Sequence, residues 1–201
     1  MNNPHPLLEK CMHTTPEPQV AIVTATRLLP NRLEYLKLLH ESLRAQEGAS
    51  WEWALSLDGA DPERLPPQIA NDPRVKIHPI PRSVGAATAR NLATNRVSAP
   101  YMTYCDDGDL LPPGSLALRY HRAVETGLGW IAGRSADLFP DGTTRTWECP
   151  TPPGRHLAGD VWTYWSSPEK TIPIGPTTLL ARTSPVLAAG GHGGLIQGRT
   201  T

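Results

Sequence analysis

The chain has 201 residues, 39% of them hydrophobic, with 19 Lys+Arg against 19 Asp+Glu. That length suits one domain with a real core, and a balanced charge gives neither a basic stripe for nucleic acid nor a polybasic patch for a membrane surface. No run approaches the about 18 apolar residues of a membrane span, the N-terminus lacks the charged start and apolar stretch of a signal peptide, and Cys11, Cys105 and Cys149 fit neither a disulfide framework nor a zinc site, so a cytoplasmic protein with reduced thiols is expected.

Residues 1–18 are polar and proline-containing and read as a loose arm. "VAIVTAT" from Val20 is a β-branched run of strand length. Leu33, Leu36, Leu39, His40 and Leu43 then recur at helical spacing, with Asn31 as N-cap and Gly48 as stop. "WEWALSLDGAD" alternates Trp51, Trp53, Leu55 and Leu57 with smaller or polar residues and breaks at Asp58-Gly59, a strand and a turn. "PERLPPQIAND" holds a short helix, "RVKIHPI" a strand, and "GAATARNLATNRV" a helix from near Gly85. "PYMTYC" is the next strand. "PGSLALRYHRAVETG" is a helix with Leu116, Tyr120, Ala123 and Val124 on one face and Gly127 as stop. "LGWIAGRSADLF" reads as one fifth strand, and "PDG" as a tight turn.

Beyond Cys149 the pattern weakens. A short helix around Asp160–Trp165, a strand at "GPTTLLART" and a short helix at "SPVLAAGG" are expected. Trp162 and Trp165 fall in that tail, where a core role and an acceptor-facing role both stay open. The chain divides into the arm (1–18), a ligand-binding α/β domain (19–138) and an acceptor-side part of the same domain (139–201).

Alternating strands and helices predict a mostly parallel sheet with helices on both faces. Right-handed crossovers bring the strand C-ends to one edge, where ligands of open α/β sheets bind. Thr24 and Thr26 close the first strand, Asp58 the second and Asp106 the fourth. Asp58 fits a turn as well as a ligand-binding carboxylate. The small residues before Arg90 fit either close helix-on-sheet packing or an anion at the helix start.

"DDGD" sets Asp106, Asp107 and Asp109 within four residues. Two unit charges about 5 Å apart repel by about 3 kcal/mol at an effective dielectric of about 20. An exposed turn tolerates that, whereas a cleft needs a cation. Mg²⁺ or Mn²⁺ takes one or two carboxylates together with substrate phosphates. The histidines do not cluster as zinc ligands, and neither a GxSxG elbow nor a Walker-type glycine loop is present.

Taken in order, "VAIVTATRLLPNRLEYLKLLHESLRAQ", "WALSLDGAD" and "VGAATARNLATNRVSAPYMTYCDDGDLLPPGSL" resemble the inverting glycosyltransferases of family 2. The similarity covers roughly residues 20–191. "ARN" some fifteen residues before the acidic motif is its most specific part. The resemblance implies a GT-A, Rossmann-like fold and transfer of a sugar, of the hexosyltransferase type, from a nucleotide-diphosphate donor to an acceptor hydroxyl. It implies Thr24, Thr26, Arg27, Asp58, Arg90 and Asn91 as nucleotide-sugar-binding residues, and Asp106, Asp107 and Asp109 as ligands of Mg²⁺ or Mn²⁺. Two departures stand out. With "PGSL" set at its usual place after the motif, Asp106 and Asp109 take the outer positions and Gly108 stands where the family usually has an acid; with Pro112 as the reference, Asp106 and Asp107 are the central pair, and both registers stay open. The acidic pair that supplies the general base should follow "SPVLAAGGHGG", yet no acid follows Glu169. A truncated, non-catalytic nucleotide-sugar binder is therefore the second reading, and a phosphoryl-transfer domain the third.

Overall fold

The computed structural model describes residues 16–148, 152–157, 159 and 174–192. A six-stranded sheet forms its centre, in the order β3 (Val75–Ile80), β2 (Trp51–Asp58), β1 (Val20–Thr26), β4 (Tyr101–Tyr104), β8 (Leu179–Arg182) and β5 (Trp130–Ala132). β1 (Val20–Thr26), β2 (Trp51–Asp58), β3 (Val75–Ile80) and β4 (Tyr101–Tyr104) run parallel. The period-two pattern of the sequence allots their side chains to two faces. Val20, Ile22, Trp53, Leu55 and Leu57 meet Leu36, Leu39 and Leu43 of α1 (Leu33–Arg44), Ile69 of α2 (Pro67–Ala70), and Leu116 and Ala123 of α4 (Ser115–Thr126). Ala21, Val23, Ala54 and Met102 face the other way, toward Ala93 of α3 (Ala86–Thr94) and Val186 of α5 (Thr183–Ala188). Each fully buried Leu or Ile stabilises by about 1.5–3 kcal/mol, so the first face carries most of the apolar core. The second face is lined by small residues, which lets α3 approach closely. Ser56 there donates to the Ala89 carbonyl at 2.8 Å.

The helix-on-both-faces, mostly parallel sheet agrees with the sequence expectation. Several details do not. Asn31 does not cap α1: it lies in a 3-10 turn (Pro30–Arg32), and α1 starts at Leu33 with no side-chain cap. On α4 the buried face is Leu116, Arg119 and Ala123, and Val124 is exposed. Arg119 turns inward because its guanidinium donates to the Thr177 carbonyl at 2.9 Å. The expected single fifth strand is two elements. β5 (Trp130–Ala132) is an edge of the main sheet, whereas β6 (Ala136–Leu138) pairs with β7 (Thr144–Thr146) in a separate hairpin around Asp141-Gly142. β8 (Leu179–Arg182) inserts antiparallel between β4 and β5. The expected helix at residues 160–165, with Trp162 and Trp165, lies outside the described residues.

Buried polar groups fix the connections. Glu52, 5% exposed, accepts the Ser98 and Ala99 backbone N–H groups at 2.6 and 2.8 Å, which sets the entry to β4. Gln46 donates to the Leu111 and Pro112 carbonyls and accepts from Leu116 N–H, holding the loop that leaves the acidic motif. No helix among the described residues is long and apolar enough to cross a membrane.

Candidate functional site

The carboxyl ends of β1, β2 and β4 lie side by side, because β1 pairs with both neighbours in parallel. Asp58 is the last residue of β2 and is 3% exposed. Its Oδ1 accepts Val84 N–H at 2.7 Å and its Oδ2 accepts the Ser83 hydroxyl at 2.8 Å. It thus fastens the loop from which α3 starts. Gly59 permits that closure: its φ is +71°, and a Cβ there would stand 2.6 Å from the Ser83 nitrogen.

α3 carries Arg90 and Asn91. Arg90 pairs with Asp106 through Nη2 and Oδ1. The Arg90 side chain is 13% exposed and that of Asp106 53%. Asn91 clamps the backbone of His192, accepting its N–H at 2.7 Å and donating to its carbonyl at 3.1 Å. A Cβ on Gly191 would come 2.4 Å from Asn91 Oδ1, so glycine is needed for this approach. The clamp sets the His192 ring edge-on to Tyr104, centroids 5.0 Å apart. Burial, and then the charge of Arg90, pull the His192 pKa down; burial raises that of the Tyr104 hydroxyl.

The acidic motif has its cations in the chain itself. Asp107 Oδ1 accepts Arg32 Nε and Nη2 at 2.9 and 2.7 Å, and Oδ2 accepts the Thr26 hydroxyl at 2.8 Å. The bond to Asp107 raises the Arg32 pKa further. Asp109 Oδ2 accepts the Asp106 N–H at 3.0 Å and the Thr177 hydroxyl. Gly108 lies under the Arg32 guanidinium, and a Cβ there would come 2.6 Å from Nη2. The glycine where an acid was expected therefore has a steric reason. Cys105, fully buried just before the motif, has its pKa raised by burial and is a packing residue.

Of the first-strand residues, Thr26 reaches the motif. Thr24 is fully buried and accepts the Trp53 indole N–H at 2.9 Å. Arg27 is exposed, and next to it Leu28 holds a φ of +49° with its side chain buried, a left-handed conformation that costs a non-glycine residue about 1–2 kcal/mol. Arg32 and Thr177 are site residues that the sequence reading missed. Arg32 looks like a solvated charge at a helix start, and Thr177 sits 68 residues from its partner.

Among the described residues no three His, Cys, Asp or Glu side chains converge as a metal cage. Asp107 has both oxygens engaged, whereas Asp106 Oδ2 and Asp109 Oδ1 have no partner among those residues. Asp106 and Asp109 are thus the two carboxylates of the motif that could each give one oxygen to a hard cation. A recess of about 100 Å³ lined by Asn91, Thr94, Asn95, Leu187, Gly190 and Gly191 is smaller than the roughly 300–1,000 Å³ of a typical small-molecule site.

No curated protein matches the chain at a significant level. Among solved structures, S. aureus TarS 1-349 is similar with a TM-score of 0.58 at 14% identity, both alone and in complex with UDP, over 86% of this chain and 49% of that one. The same protein in complex with UDP-GlcNAc gives 0.59 at 15% identity, over 86% of this chain and 47% of that one. The chain thus spans about half the length of those structures, and a likeness at such low identity carries the fold. The sequence model described as Glycosyl transferase family 2 matches residues 29–180, a stretch that includes Asp58, Arg90 and the acidic motif. The chain belongs to glycosyl transferase family 2.

Proposed function

We propose that the domain binds a nucleotide-diphosphate sugar at the carboxyl edge of β1, β2 and β4, and that the donated sugar passes to an acceptor hydroxyl. One observation carries the reading: Arg90 and Asp106, from different elements, meet at the strand edge where α/β sheets take ligands, within a family 2 domain. That TarS, a protein of the same fold, has been solved with UDP and UDP-GlcNAc supports a uridine diphosphate donor. Asp58 fixes the loop before α3, whose free N–H groups favour an anion. Arg90 offers its guanidinium to the diphosphate, and Arg32 holds Asp107 in place. Asp106 and Asp109 would hold Mg²⁺ or Mn²⁺. A divalent ion so held offsets the charge of the departing diphosphate. The acidic pair that supplies the general base in the family would follow His192, and no acid follows Glu169 in this sequence, so no carboxylate base is assigned.

Calorimetric titration with UDP-, GDP- and dTDP-sugars, with and without Mn²⁺, tests this reading. Metal-enhanced binding of at least one donor is expected, and an Asp106→Ala, Asp109→Ala double variant should lose the enhancement. Absence of binding by every donor at millimolar concentration with Mn²⁺ present sinks the proposal.

A further inference from the structure

The two arginines at the acidic motif are held differently. Arg32 gives two N–H groups to Asp107, whose side chain is 15% exposed and whose other oxygen is held by Thr26. Arg90 gives one contact to Asp106, whose side chain is 53% exposed. The Nε of Arg90 is buried and has no partner among the described residues. A guanidinium carries five N–H donors in a fork that matches phosphate as well as carboxylate. Most of that capacity is unused by Asp106.

We propose that Arg90 is an exchangeable counter-ion. It neutralises Asp106 in the ligand-free protein and passes to the donor's diphosphate when donor and divalent cation bind together. The inference rests on the donor site proposed above. A cation brought alone to Asp106 meets the fixed positive charge of Arg90. A diphosphate brought alone meets the negative charge of Asp106 beside Arg90. Arriving together, each removes the obstacle of the other, and linkage requires the two ligands to enhance one another by the same factor. Asn91, the next residue, is fixed by its two bonds to the His192 backbone. The exchange therefore needs movement of the Arg90 side chain and not of α3. Arg32 has no such freedom, since Asp107, Thr26 and the flat surface of Gly108 together define its place.

The test is calorimetry of Mn²⁺ alone, UDP alone and the two together, on the unaltered chain and on Arg90→Gln. Mn²⁺ alone should bind Arg90→Gln about fivefold more tightly, the scale of an exposed ion pair. UDP alone should bind it about fivefold or more weakly, and the mutual enhancement should shrink. If UDP binds the unaltered chain but Mn²⁺ gains no affinity on loss of Arg90, the exchange is refuted while the donor site stands. If UDP binds neither with nor without Mn²⁺, the donor reading falls and the exchange with it. Should Arg90→Gln not fold, the ¹⁵N-labelled unaltered chain decides. Its Arg90 Nε–Hε resonance should shift on addition of UDP with Mg²⁺, and no shift at saturation overturns the proposal.

Discussion

The Arg32–Asp107 and Arg90–Asp106 pairs carry the same chemistry on adjacent residues of one loop, yet their settings differ. Arg32 covers Gly108 and closes on a carboxylate that Thr26 also holds. Arg90 reaches across from α3 to a carboxylate that is half in solvent. Arg32 is the more exposed arginine, 39% against 13%, so the difference lies in the carboxylates: Asp107 is 15% exposed and accepts three bonds, Asp106 is 53% exposed and accepts one, and a charge costs more to strand where less water reaches it. The first pair therefore belongs to the architecture of the loop, whereas the second is free to change partners. Stability and ligand affinity should respond to the two arginines in opposite order.

The largest stability effect is expected from Arg32→Ala. It leaves Asp107, 15% exposed, with a hydroxyl as its remaining partner. A loss of about 2–3 kcal/mol follows, read as a fall of roughly 5–10 °C in the thermal midpoint. A fall no larger than that of Arg90→Gln would erase the distinction.

A third pair, at the amino-terminal edge of the sheet, calibrates the scale. Asp72, 7% exposed in its side chain, takes Arg74 through both oxygens and His40 at 3.0 Å. The bond to Arg74, aided by that to His40, holds its carboxyl well below the usual range. A depressed carboxylate stabilises fully above its unfolded pKa of about 4 and loses that contribution as pH falls toward its folded value. Asp72→Asn should cost about 2 kcal/mol at pH 7, and the deficit should narrow progressively below about pH 4 in urea denaturation. A deficit that stays constant from pH 7 to pH 2 would remove the ion pair as its cause.

Gly108→Ala is expected to cost about 1 kcal/mol, because its Cβ forces the Arg32 guanidinium to move. The cost should vanish in an Arg32→Ala background, and a double-mutant cycle reads this directly. Additive losses would mean that Gly108 serves something other than Arg32. The smallest effect is that of Arg90→Gln on stability, less than about 1 kcal/mol by thermal denaturation, since Asp106 is 53% exposed.

The layering and the ligand edge are written in local pattern. Along β2 the large Trp53 and Leu55 alternate with the small Ala54, and the leucines of α1 recur with the helical period, so the burial of both follows from local pattern alone. Asp58-Gly59 and the acidic run after β4 mark strand ends, and parallel pairing brings those ends together. Tertiary structure decided what the pattern could not carry. "TLLAR" reads as a strand, but nothing local says that it enters antiparallel between β4 and β5, because direction is a property of pairing. The partners of the acidic motif are likewise non-local: Arg32 lies 75 residues from Asp107, and Thr177 lies 68 from Asp109. The sequence posed three carboxylates that required positive charge. Only the folded chain shows that two arginines supply it, one on a carboxylate that Thr26 also holds and the other on a carboxylate half in water, because the burial and bonding of each carboxylate set how firmly its pair is held.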